Sequence, residues 1–242
     1  MSLILPTRIG AGRLDRTLGE LAEWLPRQSC AELIIVDDGS EPRAATRMRE
    51  FAVSTRGVTL LKNDRNRGKG FAVARGMLAS RGRYRVFTDA DLAYPLEEVS
   101  EVVRHLESGS DVVVACRVLP ESRYDISPSF FRYLYTRHLI SRAFNWVVRH
   151  VLLDGIRDTQ AGLKGFTARA ADLLFRRQTV QGFGFDVELL CIARDHGLRV
   201  TQMAVHYRYD HEPSTLRFTR DAIDMLRDLG RIEWNRMRGR YR

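Results

Sequence analysis

Cysteine is scarce in this chain: Cys30, Cys116 and Cys191 stand far apart beside apolar neighbours, with none of the spacings that bind zinc. A disulfide scaffold is therefore excluded, and buried free thiols in a reducing cytoplasm are expected. Long apolar runs are missing too. No stretch approaches the roughly 18 residues a membrane span needs, and no basic flank followed by a signal-length apolar segment opens the chain. A soluble cytoplasmic protein is expected, able to sit at the cytoplasmic face of a membrane. Lysine is the third shortage. Only Lys62, Lys69 and Lys164 accompany the arginines, yet the chain carries +9 overall. Such a balance favours polyanions: nucleotide phosphates, anionic lipid or nucleic acid. Repeats, low-complexity tracts and linkers are likewise absent, so 242 residues read as one α/β domain.

What is present centres on Val86-Phe87-Thr88-Asp89-Ala90-Asp91, an apolar run ending in two carboxylates. As a strand running into a loop it delivers both acids to the carboxyl edge of a sheet, where open α/β folds bind ligands. Two acids so close repel. A hard divalent cation shared with a diphosphate would make them compatible. The ordinary alternative is a solvated loop with an N-cap aspartate.

In chain order, Ser2 to Leu5 reads as a strand stopped by Pro6, and Arg13 to Leu25 as a helix. Gly10-Ala-Gly12 suggests a dinucleotide turn, but the third glycine of that fingerprint falls on Asp15. Leu33 to Val36 is a strand breaking at Asp37-Asp38-Gly39-Ser40. A helix over Ala44 to Ala52, a strand over Val58 to Leu61 and a helix over Gly70 to Leu78 follow. The last is entered through Asn66-Arg67-Gly68-Lys69-Gly70, a flexible turn or a phosphate cradle. Tyr84 to Thr88 is the next strand, Pro95 opens a helix through His105, and Asp111 to Ala115 is a strand with Arg117 at its end. This alternation predicts a doubly wound, mostly parallel sheet with a nucleotide cleft.

The second half reads as an aromatic helix over Phe130 to Leu153, a polar loop from Gly155 to Lys164, and a helix over Ala168 to Phe175. A helix follows Gly182-Phe-Gly184-Phe-Asp186-Val-Glu188, where both acids could serve the helix dipole or chemistry. Arg199 to Val205 is a strand, and His206 to Arg217 a polar loop. From Arg217 onward eight arginines oppose four acids in a basic amphipathic helix. That helix could dock on the body, on anionic lipid or on a partner.

Five blocks, taken in order and at their spacing, resemble the family 2 glycosyltransferases of GT-A fold, in the branch of dolichyl-phosphate glucose synthase and its polyprenyl-phosphate relatives. They are Val36-Asp37-Asp38-Gly39-Ser40, Asn66-Arg-Gly68-Lys69-Gly70, Asp89-Ala90-Asp91, Asp158-Thr159-Gln160-Ala-Gly162-Leu-Lys164 and Phe185-Asp186-Val-Glu188-Leu. The resemblance implies a GT-A domain over residues 1–216, with a nucleotide half to 117 and an acceptor half beyond, then the tail helix from 217. It implies inverting transfer of a hexose, UDP-glucose first, to an acceptor such as a polyprenyl phosphate, with Mg²⁺ or Mn²⁺. Asp91 would be the direct metal ligand, with Asp89 beside it near the ribose. Asp37 would meet the base and Lys69 the phosphates, with Pro6, Asp38 and Ala90 in the same donor-binding set. Asp158, Gln160 and Lys164 would face sugar and acceptor, and Asp186 matches the general base of relatives with hydroxyl acceptors. Arg117, Arg217 and Ser214 are candidates for an acceptor phosphate.

Two positions depart from the family's pattern: Pro6-Thr7-Arg8-Ile9-Gly10 carries no acid, and Thr215 stands where many relatives have lysine. Membrane helices of many relatives have no counterpart here, so a lipid acceptor would be met through the tail, the aromatic helix or a membrane subunit. The competing readings are GDP-mannose as donor, a soluble hydroxyl acceptor, a sugar-1-phosphate nucleotidylyltransferase, and a nucleic-acid-binding module. The last leaves the paired acids unexplained and lacks aromatic-basic interleaving, so nucleic acid is not an expected partner. Oligomeric state is left open by the sequence.

Overall fold

The computed structural model describes residues 1–8, 10–28, 31–126, 153, 155–209 and 218–242. Cys30, most of the aromatic segment 130–153, Ser214, Thr215 and Arg217 lie outside them. Strands and helices alternate through the first half: β1 (Ser2–Thr7), α1 (Ala11–Trp24) with a 3₁₀ turn (Leu25–Arg27), β2 (Glu32–Asp37), α2 (Pro42–Ser54), β3 (Val58–Lys62), α3 (Lys69–Ala79), β4 (Tyr84–Thr88), α4 (Leu96–Glu107) and β5 (Val112–Cys116). The remainder contributes β6 (Arg123–Ile126), β7 (Leu163–Thr167), α5 (Ala168–Arg177), α6 (Phe185–Asp195), β8 (Val200–Ala204), β9 (His206–Tyr209) and α7 (Phe218–Met237).

Seven strands form one sheet in the order β3-β2-β1-β4-β7-β5-β8, and β6 pairs with β9 in a small parallel ribbon. All neighbours in the large sheet are parallel except β7, which runs antiparallel to both β4 and β5. That reversal positions the site. Leu163, the first residue of β7, lies opposite Thr88, the last of β4, so the segment before β7 arrives at the edge where β4 releases Asp89.

Side chains of successive strand residues point to opposite faces, and the core follows this rule on both sides. Ile4, Ile34, Val36, Phe87, Val112 and Val114 pack with α3, α5 and α6 on one face. Leu3, Leu5, Leu33, Ile35, Val86 and Val113 pack with α1, α2 and α4 on the other. Strands covered on both faces need continuous apolar runs, which is why these were readable. Cys116 and Cys191 are buried free thiols, as expected.

The sequence reading did not anticipate β6, and three further differences bear on the site. β1 continues through Pro6 to Thr7, in register with β2 to Asp37. Thr7 turns its carbonyl to β2, where Asp38 N–H donates at 2.9 Å, so Pro6 faces the β4 side, and pairing with β4 ends at Ile4. The missing N–H therefore deprives no partner. β7 falls across the end of the expected loop and the gap before α5. β9 takes the first four residues of the other expected loop.

Candidate active site

At the carboxyl end of β2, Asp37 and Asp38 are buried and have separate tasks. The Asp37 carboxylate accepts the Ser40 N–H at 2.8 Å, closing the turn at Gly39. Asp38 reaches across to the next connection and accepts from Asn63 Nδ2 (2.7 Å), Arg67 N–H (2.8 Å) and Gly68 N–H (2.9 Å). It thereby shapes the glycine loop itself. Gly68 has φ +98° and lies against the backbone of Gln181, a conformation and a gap that admit no side chain. Lys69 then begins α3, so the loop leads directly into a helix amino terminus.

Lys69 Nζ lies 2.6 Å from Asp89 Oδ1. Burial works against its charge, but Asp89, Asp186 and Asp91 together raise its pKa and keep it protonated. Asp89 is anchored through its backbone N–H to Gly162 O at 3.1 Å. A side chain at residue 162 would collide with the Asp89 carboxylate, so the glycine creates the space this acid occupies. Ala90, between the two acids, is buried, and its carbonyl accepts Thr17 Oγ1–H at 2.7 Å, tying the lip to α1. Asp91 is open to solvent on this lip and accepts Ala93 N–H at 3.2 Å. Desolvation by the surrounding lip, then repulsion from Asp89, pushes its carboxyl above the ordinary range. Leu92 follows with φ +47°, the one non-glycine residue at positive φ among those described. Such strain concentrates at functional turns.

Two further pairs stand behind the lip. Asp158 is almost fully buried and receives Arg117 three times: Nε at 2.7 Å, Nη2 at 3.0 Å and the backbone N–H at 3.1 Å. Burial alone would raise the Asp158 pKa, but the Arg117 charge and hydrogen bonds hold it below the usual range. Gln160 N–H also donates to Asp158, at 3.3 Å. Lys164 is wholly buried; its Nζ donates to Asp186 Oδ1 and to Ala161 O, each at 2.7 Å. Burial lowers the Lys164 pKa and raises that of Asp186, each shift opposed by the partner's charge. These pairs adjoin, since Lys69 also feels Asp186 and Lys164 feels Asp158.

The structure thus brings Asp37, Asp38, Lys69, Asp89, Ala90, Asp91, Arg117, Asp158, Gln160, Lys164 and Asp186 to one edge, while Pro6 stays in β1. Ser214 and Arg217 are outside the described residues. Sequence reasoning missed the supports. Glu188, which could have served chemistry or the helix dipole, is fully buried. Its carboxylate accepts Thr179 N–H (2.9 Å), Val180 N–H (2.8 Å), Thr179 Oγ1–H (2.6 Å) and Tyr241 OH (2.7 Å). The segment it holds continues to Gln181, whose carbonyl accepts Phe71 N–H at 3.2 Å in the first turn of α3. The charge of Arg13 on α1 opposes part of the rise in the Asp91 pKa.

Among the described residues no group of three or more His, Cys, Asp or Glu could by itself hold a metal ion. Two hard, mutually repelling carboxylates nonetheless fit a Mg²⁺ or Mn²⁺ that completes its oxygen shell with phosphate and water.

A mostly parallel sheet with an acidic lip and a lysine-bearing glycine loop at its carboxyl edge defines a GT-A glycosyltransferase. A model of glycosyl transferase family 2 matches residues 2–159, and the chain belongs to that family. Similar proteins include a dolichyl-phosphate beta-glucosyltransferase of Trichomonas vaginalis, 30% identical over 94% of this chain and 72% of that one. One of Dictyostelium discoideum is 29% identical over 99% and 75%, and one of Homo sapiens is 30% identical over 86% and 67%. In fold the chain is similar to glucosyl-3-phosphoglycerate synthase from Mycobacterium tuberculosis in complex with Mn²⁺, UDP and glucosyl-3-phosphoglycerate. That match has a TM-score of 0.69 at 18% identity, covering 96% of this chain and 78% of the other.

Proposed function

We propose that the chain transfers glucose from UDP-glucose to a polyprenyl phosphate, with inversion at the anomeric carbon. The observation that carries this reading is the open acidic lip, Asp89 and Asp91, set beside Lys69 and the amino end of α3. The relatives, dolichyl-phosphate beta-glucosyltransferases matched over most of this chain and about three quarters of their own length, support the sugar and the lipid phosphate. Neighbours of the same fold were solved with UDP and Mn²⁺ or Mg²⁺, which supports the nucleotide and the ion.

Asp91, with Asp89, would hold the cation, which when bound neutralises the departing diphosphate. Lys69, kept protonated by its three acids, adds a fixed positive charge beside that diphosphate, and the loop glycines let the backbone approach it. Asp37 is assigned to the base, with Pro6 and Ala90 lining the donor side. Asp38 contributes by holding the glycine loop. Gln160 is assigned to the sugar and acceptor side, Asp158 to positioning Arg117 there, and Arg117, Ser214 and Arg217 to the acceptor phosphate. A phosphate oxygen of the acceptor attacks the anomeric carbon in line, the bond from that carbon to the diphosphate oxygen breaks, and its electron pair leaves with the nucleotide.

An ionised phosphate needs orientation rather than deprotonation. This agrees with Asp186, which is buried and engaged by Lys164 rather than presented to an alcohol. The test offers a panel of nucleotide sugars with Mg²⁺ or Mn²⁺, then polyprenyl phosphate, polyprenol and 3-phosphoglycerate separately. Glucosylated polyprenyl phosphate with release of UDP is expected. Product only with an alcohol or a soluble phosphate would overturn the acceptor, and release of pyrophosphate the reaction.

A further inference from the structure

Helix α7 is tied to the body along one stripe. Leu229, Ile232 and Asn235 are buried, and the Asp228 side chain packs so closely on Gly184 that a Cβ there would collide with it. Arg236 grips Asp195 through two nitrogens, at 2.8 and 3.0 Å. Beyond the helix, Tyr241 is buried and bonded to Glu188. The opposite stripe is also apolar. Leu226, Gly230, Trp234 and Met237 recur at helical spacing, and the three with side chains are 56%, 52% and 68% exposed. A helix docked on its own domain has no folding reason for a second apolar face.

Charge says what covers it. Arg227, Arg231 and Arg238 run beside this stripe four and seven residues apart, and the Arg238 guanidinium lies 4.4 Å over the Trp234 ring. Arg240 and Arg242 follow, exposed. From residue 224 to 242 six arginines oppose three acids, of which Asp224 pairs with Arg227 at 3.1 Å and Glu233 with Arg236 at 2.9 Å. Two copies meeting face to face would bring like-charged arginines together. A tryptophan with arginines whose stems lie along apolar surface is instead the composition of a helix lying in a bilayer interface.

We propose that this outer face of α7 docks on an anionic lipid bilayer. The helix is placed to serve the site, because its first turns reach it: Gln160 Nε2 lies 3.9 Å from Met225 Sδ. Charge and exposure mark this surface whatever acceptor the site takes.

The test uses the full chain and vesicles without any polyprenyl phosphate, of phosphatidylcholine alone or mixed with phosphatidylglycerol. Co-sedimentation is expected only with the anionic vesicles, and to weaken as salt rises. Trp234→Glu with Leu226→Glu, and separately Arg231→Glu with Arg238→Glu, are expected to lower binding by at least about tenfold with an unchanged thermal midpoint. Equal sedimentation of wild type and both variants would overturn the proposal. So would absence of vesicle binding together with a concentration-dependent dimer that Trp234→Glu abolishes, since the face would then join copies of the chain.

Discussion

Two regions of the same edge are built from the same chemistry and finished differently. Behind the cleft, Lys164 with Asp186 and Arg117 with Asp158 are closed: buried acids with opposite charges in contact, both Asp158 oxygens supplied with donors. On the lip, Asp89 and Asp91 repel one another, and Lys69 reaches only Asp89. Closed pairs fix geometry. The open lip holds excess negative charge that a ligand cation would relieve, so function is read where the charge balance is left incomplete.

Breaking a closed pair should be felt first in folding. Lys164→Met leaves Asp186 buried without its counter-charge, and denaturant unfolding is expected to show a loss of about 3–5 kcal/mol. Replacing both partners with apolar residues of similar volume should restore most of that loss; no restoration would mean the pair is not acting as a unit. Opening the lip further should be felt in turnover instead. Asp91→Asn is expected to lower metal-dependent transfer about a hundredfold, roughly 3 kcal/mol at the transition state. Its thermal midpoint should hold or rise, because the substitution removes repulsion with Asp89. A variant that melts earlier with unchanged turnover would reverse the two regions' roles.

The smallest effect sharpens the contrast through pH. Asp158 has a folded-state pKa below its unfolded value, so its contribution is fully present above about pH 4 and is lost as pH falls through the folded value. Asp158→Asn is expected to cost about 1–3 kcal/mol at neutral pH and to flatten the acid limb of the stability profile. Unchanged acid sensitivity in the variant would separate Asp158 from that limb.

Legibility followed the same division. Apolar strands β1, β2, β4 and β5, with the acids that follow β2 and β4, were readable because burial on both faces writes a local pattern. β7 was not: it carries Lys164, fully buried only because Asp186 faces it from 22 positions away, and hydropathy reads such a segment as loop. Glu188 was ambiguous for a related reason. Its task depends on Tyr241, 53 positions later, and no spacing within its own block indicates that partner. Lip residues were therefore legible as candidates, while the pairs that position them were legible only in three dimensions.

The most direct measurement of the central claim is Mn²⁺ binding followed by electron paramagnetic resonance, with and without UDP-glucose, in wild type and in Asp91→Asn. Wild type is expected to sequester Mn²⁺ when the sugar nucleotide is present, and Asp91→Asn, still folded, to leave it free. Equal sequestration by both would contradict the assignment of the lip, and with it the account of how this edge handles a diphosphate.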